Sequence, residues 1–163
     1  MAYRILIACY SMTGNTVRLA EEIRAAFSGD ADLERIAEPR PRHGLFGALR
    51  ALSDAVLRRD VPISPIDHDP AGYALLILGG PVWAGRLASP VRTYARRHAA
   101  AAARVAFFCT QGGGGADAAF GELGQLCGHT PCATLAVDAR HLDAAAHRDA
   151  LVQFTTAARS AMA

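Results

Sequence analysis

Apolar residues fall in short, nearly unbroken runs along this chain: Tyr3–Cys9, Ala74–Leu78, Val105–Cys109 and Thr134–Val137. Unbroken runs, rather than alternation, mark strands covered on both faces, as in a parallel sheet. Leu33–Ala37 is more polar and reads as an edge strand. Between the runs the apolar spacing becomes helical. Val17, Ala20, Ile23 and Phe27 share one face, and Gly29 stands where that helix should end. Phe46, Leu49, Ser53 and Val56 predict the inward face of a second helix, and Val91, Tyr94 and His98 that of a third. Phe120, Leu123 and Cys127 form a fourth before Gly128. A last helix is predicted to start at an Asp143 N-cap and to bury Leu151, Phe154, Ala158 and Met162. Five strand–helix repeats, with no linker or composition break, predict a single α/β domain over residues 1–163, doubly wound with right-handed crossovers. Only Arg40-Pro41-Arg42-His43-Gly44 reads as a mobile loop.

In a doubly wound sheet ligands bind beyond the carboxyl ends of the strands, where the strand order reverses. Three segments of unusual composition leave such ends: Ser11–Thr16, Gly79–Arg86 and Thr110–Gly115. The first, Ser11-Met12-Thr13-Gly14-Asn15-Thr16, joins the first strand to the first helix. Backbone N–H groups at a helix start lack partners, and the helix dipole favours an anion there. Three hydroxyls and an amide add donors, and Gly14 allows close approach. With no Arg inside the turn, its natural guest is a phosphate monoester held by neutral groups.

Composition narrows the field further. A hydrophobic share of 52% and a charged share of 20% argue for a packed fold and against disorder. The net charge of +2 is too small to argue for nucleic acid or an anionic membrane. All 17 basic residues are Arg, so a phosphate-loop lysine and a Schiff-base lysine are both excluded. Cys9 and Cys109 end apolar runs and read as core residues, whereas Cys127 and Cys132 flank a short turn. No cysteine pair has metal-site spacing, and a functional disulfide between Cys127 and Cys132 is disfavoured by the cytosolic character of the chain. Signal-peptide and membrane-spanning patterns are absent from the sequence, so a cytoplasmic protein is expected. No Gly-x-Ser-x-Gly elbow supports hydrolysis, and the end of the first strand lacks the carboxylates of a phospho-acceptor receiver. Arg40, Arg42, Arg50, Arg58 and Arg59 surround the second helix and read as a solvated face, with docking of an acidic partner as the alternative.

The segment Ile7-Ala8-Cys9-Tyr10-Ser11-Met12-Thr13-Gly14-Asn15-Thr16 resembles the phosphate loop of flavodoxins. Leu78-Gly79-Gly80-Pro81-Val82-Trp83-Ala84-Gly85 is similar to their second flavin loop, and Phe108-Cys109-Thr110-Gln111-Gly112-Gly113 to their third. The order and spacing match over essentially the whole chain, at the length of a short-chain flavodoxin. The resemblance implies a flavodoxin-like three-layer sandwich around a five-stranded parallel sheet of order 2-1-3-4-5. It also implies one non-covalent FMN. Its phosphate would meet Ser11, Met12, Thr13, Gly14, Asn15 and Thr16. Its ring would meet Pro81, Val82, Trp83, Ala84, Gly85, Thr110, Gln111, Gly112 and Gly113. Trp83, the single tryptophan, can stack on a planar ring. Gly85 would let the Ala84–Gly85 peptide reorient toward the flavin N5. Gly113-x-Gly115-x-x-Ala118 formally fits a dinucleotide fingerprint, but that motif normally follows the first strand.

Two departures separate this chain from the acidic electron shuttles of the family. No aromatic occurs in Thr110–Gly115 to cover the second ring face, and the chain is slightly basic. Fewer nearby carboxylates should destabilise a reduced flavin less. The implied function is electron transfer between cytoplasmic partner proteins, a reductase and an acceptor, by a monomer or homodimer without nucleic acid or membrane insertion. The alternatives are a flavin-dependent NAD(P)H:acceptor reductase of quinone type and a flavin-free interaction module. No catalytic residue and no metal site is assigned.

Overall fold

The computed structural model describes residues 4–143 and 145–163. Tyr3, predicted to open the first strand, lies outside them. Five parallel strands form the sheet: β1 (Ile5–Cys9), β2 (Ala31–Arg35), β3 (Leu75–Trp83), β5 (Val105–Gln111) and β6 (Thr134–Asp138). A two-residue strand, β4 (Arg86–Leu87), pairs antiparallel with the end of β3. The order is β2-β1-β3-β5-β6, which is the expected 2-1-3-4-5 once β4 is set aside. Helices α1 (Asn15–Ala26), α2 (Gly44–Val56), α3 (Ser89–His98), α4 (Ala116–Cys127) and α5 (Ala145–Met162) flank the sheet.

The unbroken apolar runs have a direct structural cause. Side chains alternate across a strand. Leu6 and Ala8 of β1 with Tyr10 just beyond it, Leu76 and Leu78 of β3, and Phe107 and Cys109 of β5 therefore enter the core that includes Tyr94 of α3 and Leu123 of α4. Their neighbours Ile5, Ile7, Cys9, Leu75, Ile77 and Phe108 enter a second core with Leu19 and Ile23 of α1 and Phe154 of α5. Strands β1, β3 and β5 thus each serve two apolar layers. Strand β6, expected from its sequence to be covered on both faces, instead lies at the sheet edge and buries Leu135 and Val137 while Thr134 and Ala136 are exposed.

Several boundaries move from their expected places. Strand β2 starts at Ala31 because the ladder pairs Ala31 with Ile5 and Arg35 with Cys9. Strand β3 runs on through Gly79, Gly80 and Pro81, which had read as loop, because β5 continues to pair with it as far as Gln111. Its two glycines are required by packing. A Cβ on Gly79 would lie 2.5 Å from the Phe108 ring, and one on Gly80 would lie 2.4 Å from Val91 Cγ2. The described part of α5 begins at Ala145, and the carboxylate of Asp143, expected to cap that helix, pairs with Arg18.

Helix α2 departs most from its expected orientation. Its buried residues are Ala51, Asp54 and Ala55, while Phe46, Leu49 and Val56 face solvent. The cause is Arg42, whose side chain is only 8% exposed under the helix. It sits 2.9 Å from Asp54 and 2.8 Å from Glu38, both equally buried. Gly47 packs on it so closely that a Cβ there would lie 3.0 Å from the Arg42 carbonyl carbon. A buried charge must stay with its partners. The helix therefore turns its small residues and Asp54 inward and leaves its leucines outside. The segment expected to be mobile is pinned by the same ion pairs.

Candidate functional site

Strand β1 has β2 on one side and β3 on the other, so the order reverses there and a cleft opens beyond the carboxyl ends. The turn between β1 and α1 forms its floor. Gly14 takes a φ of +96°, a left-handed conformation that favours glycine, and stands just before the helix. Its N–H donates to Ser11 Oγ at 3.1 Å. Neither Asn15 nor Thr16 caps the helix, contrary to the expectation, because α1 already starts at Asn15. No side chain caps that end and no acidic residue stands in its first turn. The positive end of the dipole is therefore uncompensated by the protein.

Thr16 is tied elsewhere. Its hydroxyl lies 2.8 Å from that of Thr110 at the end of β5, and the two residues are 2% and 3% exposed. A hydrogen bond between two hydroxyls uses one of their two protons and leaves the other for a further acceptor. Both residues line the cleft, so that proton is available to a guest.

The second wall is a hairpin. Val82 pairs with Leu87 and Trp83 with Arg86, leaving Ala84 and Gly85 as its two central residues. Their φ values of +48° and +71° fit the turn type that matches the twist of tight hairpins. Alanine in this region costs about 1–2 kcal/mol, so Ala84 carries local strain. The Tyr10 ring meets Trp83 edge-on, with centroids 6.4 Å apart and planes at 86°. Tyr10 is in turn fixed from its far end, donating to Glu38 at 3.0 Å. Burial and this neighbouring carboxylate push the Tyr10 phenol above its usual range.

The third wall is the glycine run after β5. Gln111 Oε1 accepts from the Ala116 N–H at 3.1 Å and so satisfies the first turn of α4. Gly115 has a φ of +99°, and a Cβ there would lie 2.5 Å from Gly85 Cα. The loop and the hairpin thus touch backbone to backbone.

Together the three segments enclose a cavity of about 830 Å³. Met12, Thr13, Asn15 and Thr16 line it from the first turn, and Pro81, Val82, Trp83, Ala84 and Gly85 from the hairpin. Thr110, Gln111, Gly112 and Gly113 line it from the end of β5 and the loop that follows. Ser11 and Gly14 fall outside it and line a smaller adjoining hollow beside Arg35. Ala48, Leu52 and Ala139 also line the cavity without a sequence assignment, as do Gly114 and Gly115, which belong to the Thr110–Gly115 segment but not to the expected ring contacts. Helix α2 presents Ala48 and Leu52 to the cavity in the orientation that the Arg42–Asp54 pair sets, which no periodicity reports, and Ala139 carries no sequence signal. Every lining side chain is uncharged, so the wall contributes neither a general acid nor a base. Cys9 and Cys109 lie beneath, their thiols pushed up to about 12 by burial, which makes them poor nucleophiles. Among the described residues no cluster of His, Cys, Asp or Glu could hold a metal ion, and no helix is long and apolar enough to cross a membrane. All four cysteines are free.

No family model and no curated protein matches the sequence. Solved structures do. A flavoprotein from Lactobacillus acidophilus, determined in complex with FMN, superposes with a TM-score of 0.69 at 23% identity, covering 86% of this chain and 97% of its own. An inferred flavoprotein from Bacteroides eggerthii gives a TM-score of 0.73 at 22% identity, over 93% and 98% of the two chains. A Streptococcus pneumoniae flavodoxin gives 0.63 at 14% identity, over 97% and 99%. The architecture, strand order and these superpositions agree, and the chain folds as a flavodoxin-like protein.

Proposed function

We propose that the cavity binds one FMN without a covalent bond and that the protein passes electrons between partner proteins through it. A single observation carries the reading. The hydroxyl-rich start of α1, the hairpin bearing the only tryptophan and the glycine run after β5 converge on one uncharged cavity at the strand-order switch. That combination suits a guest with a phosphate at one end and a planar ring at the other. The uncapped N-terminus of α1, with Thr13, Asn15 and the spare proton of the Thr16–Thr110 pair, would hold the phosphate. Trp83, whose plane is set by Tyr10, would lie on the ring. Backbone N–H groups of Gly112 and Gly113 would meet the polar edge of the ring, and Gln111 keeps its amide donors for the same task.

FMN supplies the redox chemistry when bound, and the protein's part is to hold and orient it. The absence of an ionisable side chain from the wall fits an electron carrier better than an enzyme that moves protons. Denaturing the purified protein and measuring the flavin released tests the cofactor. One FMN per chain is expected, and a colourless protein that fails to take up added FMN contradicts the reading. Stopped-flow mixing with NAD(P)H then separates carrier from reductase. Slow reduction in the absence of a partner protein is expected, and fast reduction assigns the chain to the flavin-dependent reductases.

A further inference from the structure

The leucine-bearing side of α2 is bare. Leu45, Leu49, Leu52 and Val56 recur at i, i+4, i+7 and i+11, and all four are exposed. That spacing is the seam of a helix that packs on another helix. Phe46, at 87% exposure, and Leu57 widen it. A continuous exposed apolar patch of this kind marks an interaction site. The margin of the patch is of one sign. Arg40, Arg50 and Arg58 are exposed around it, as is Arg59, which sits 3.7 Å from Asp54, while Glu38 and Asp54 of the same stretch are buried against Arg42. Asp60 is exposed but paired with Arg96 at 2.5 Å. Leu52 belongs both to the stripe and to the cavity wall, so the patch runs into the mouth of the site.

Resting on the flavin reading above, we propose that α2 docks a redox partner through an amphipathic helix whose apolar stripe is flanked by carboxylates. A helix seated there stands at the lip of the cavity, where the path for an electron is shortest. The cationic margin draws such a partner in and rejects a basic one. A second copy of this chain fits worse. Antiparallel pairing of two α2 helices would carry Arg58 and Arg59 to the mate's helix start, where the dipole is positive and Arg40 and His43 already stand. Parallel pairing would set Arg50 beside its counterpart. An anionic bilayer shares the charge preference, but the seam spacing selects a helix over a plane.

Fluorescence anisotropy with two labelled peptides tests the proposal on the purified protein, with whatever flavin it carries. One is a capped helix of roughly 16 residues with leucine along a seam and glutamate on both flanks. The other has lysine in place of every glutamate. The glutamate peptide is expected to bind saturably, roughly tenfold more tightly than the lysine peptide, and to weaken as salt is raised. Leu49→Ser and Arg50→Glu should each weaken it by roughly fivefold with flavin content and melting temperature unchanged, since neither residue lines the cavity. Equal binding of the two peptides, or binding unmoved by both variants, overturns the proposal. Sedimentation with phosphatidylglycerol vesicles in place of peptide binding overturns it in favour of a membrane. A dimer dissolved by Leu49→Ser overturns it in favour of a second copy. A flavin-free protein that still binds the glutamate peptide keeps the docking face and removes the cofactor reading, while a flavin-loaded protein that ignores the peptide does the reverse.

Discussion

Alanine substitutions along Gly113, Gly114 and Gly115 separate backbone strain from close contact within one loop. At Gly113 a Cβ meets nothing within 4 Å and φ lies outside the left-handed region. Gly113→Ala should therefore be neutral, or stabilise by about 0.4–1 kcal/mol by restricting the unfolded chain. At Gly114 the space is equally open, but φ is +97°. The left-handed penalty alone sets a cost of about 1–2 kcal/mol. At Gly115 the same penalty applies at φ +99°, and the new Cβ would lie 2.5 Å from Gly85 Cα and 3.2 Å from Gly85 C. Those atoms are backbone and cannot swing aside, so the hairpin must shift, at a further cost of about 1–3 kcal/mol. The total for Gly115→Ala is about 2–5 kcal/mol. Urea unfolding of the three variants measures the series, with an unchanged slope showing that stability alone has moved. Because the displaced hairpin carries Trp83, Gly115→Ala should also weaken FMN and riboflavin alike. Equal costs at Gly114 and Gly115 would refute the backbone contact, and a large cost at Gly113 would refute the loop geometry altogether.

Other perturbations reach other parts of the structure. Thr13→Val removes a neutral donor from the floor of the cavity and should weaken FMN by about 1–2 kcal/mol while sparing riboflavin, read by titration of both ligands. Equal losses for the two contradict the phosphate assignment. Arg42→Met leaves buried Glu38 without its cation and Asp54 with only the more distant, exposed Arg59, and chemical unfolding should register a loss of about 3–5 kcal/mol. Thiol titration near pH 8 should find half-buried Cys132, whose thiol burial also raises, the first to react in the native protein and all four cysteines reactive in denaturant, because burial pushes Cys9, Cys109 and Cys127 up to about 12. Rapid labelling of the other three in the native state would show a looser core. Potentiometry of the FMN-loaded protein should place the second electron at a less negative potential than in acidic flavodoxins, since no carboxylate lines the cavity.

The parts of the fold legible in the sequence were those governed by local patterns. Strands β1, β3 and β5 announced themselves because both faces of each are apolar, and α4 because Phe120, Leu123 and Cys127 share a buried face before Gly128. The three cavity segments were readable because glycine, hydroxyl and tryptophan residues stand at strand ends, where packing alone does not call for them. Helix α2 was misread because its orientation is decided by an ion pair between Arg42 and Asp54, and no periodicity reports a partner outside the helix. Asn15 and Thr16 do not cap α1 because the helix already begins at Asn15, one residue after Gly14, and no local pattern reports what engages Thr16 instead. The Thr16 hydroxyl is claimed by Thr110, which lies 94 positions away in the chain. The strand β4 was invisible because two residues carry no period. Contacts between distant segments, rather than weak local signals, account for these differences.

Trp83 is the only tryptophan and lies in the cavity wall, so its emission reports directly on whether a flavin enters. Titrating the apoprotein with FMN while recording that emission tests the assignment of the cavity without reference to partner or activity. Quenching that saturates at one FMN per chain is expected, together with weaker, phosphate-independent binding of riboflavin. Emission that stays unchanged through an excess of FMN would contradict the placement of the flavin on Trp83 and, with it, the functional reading of the cavity.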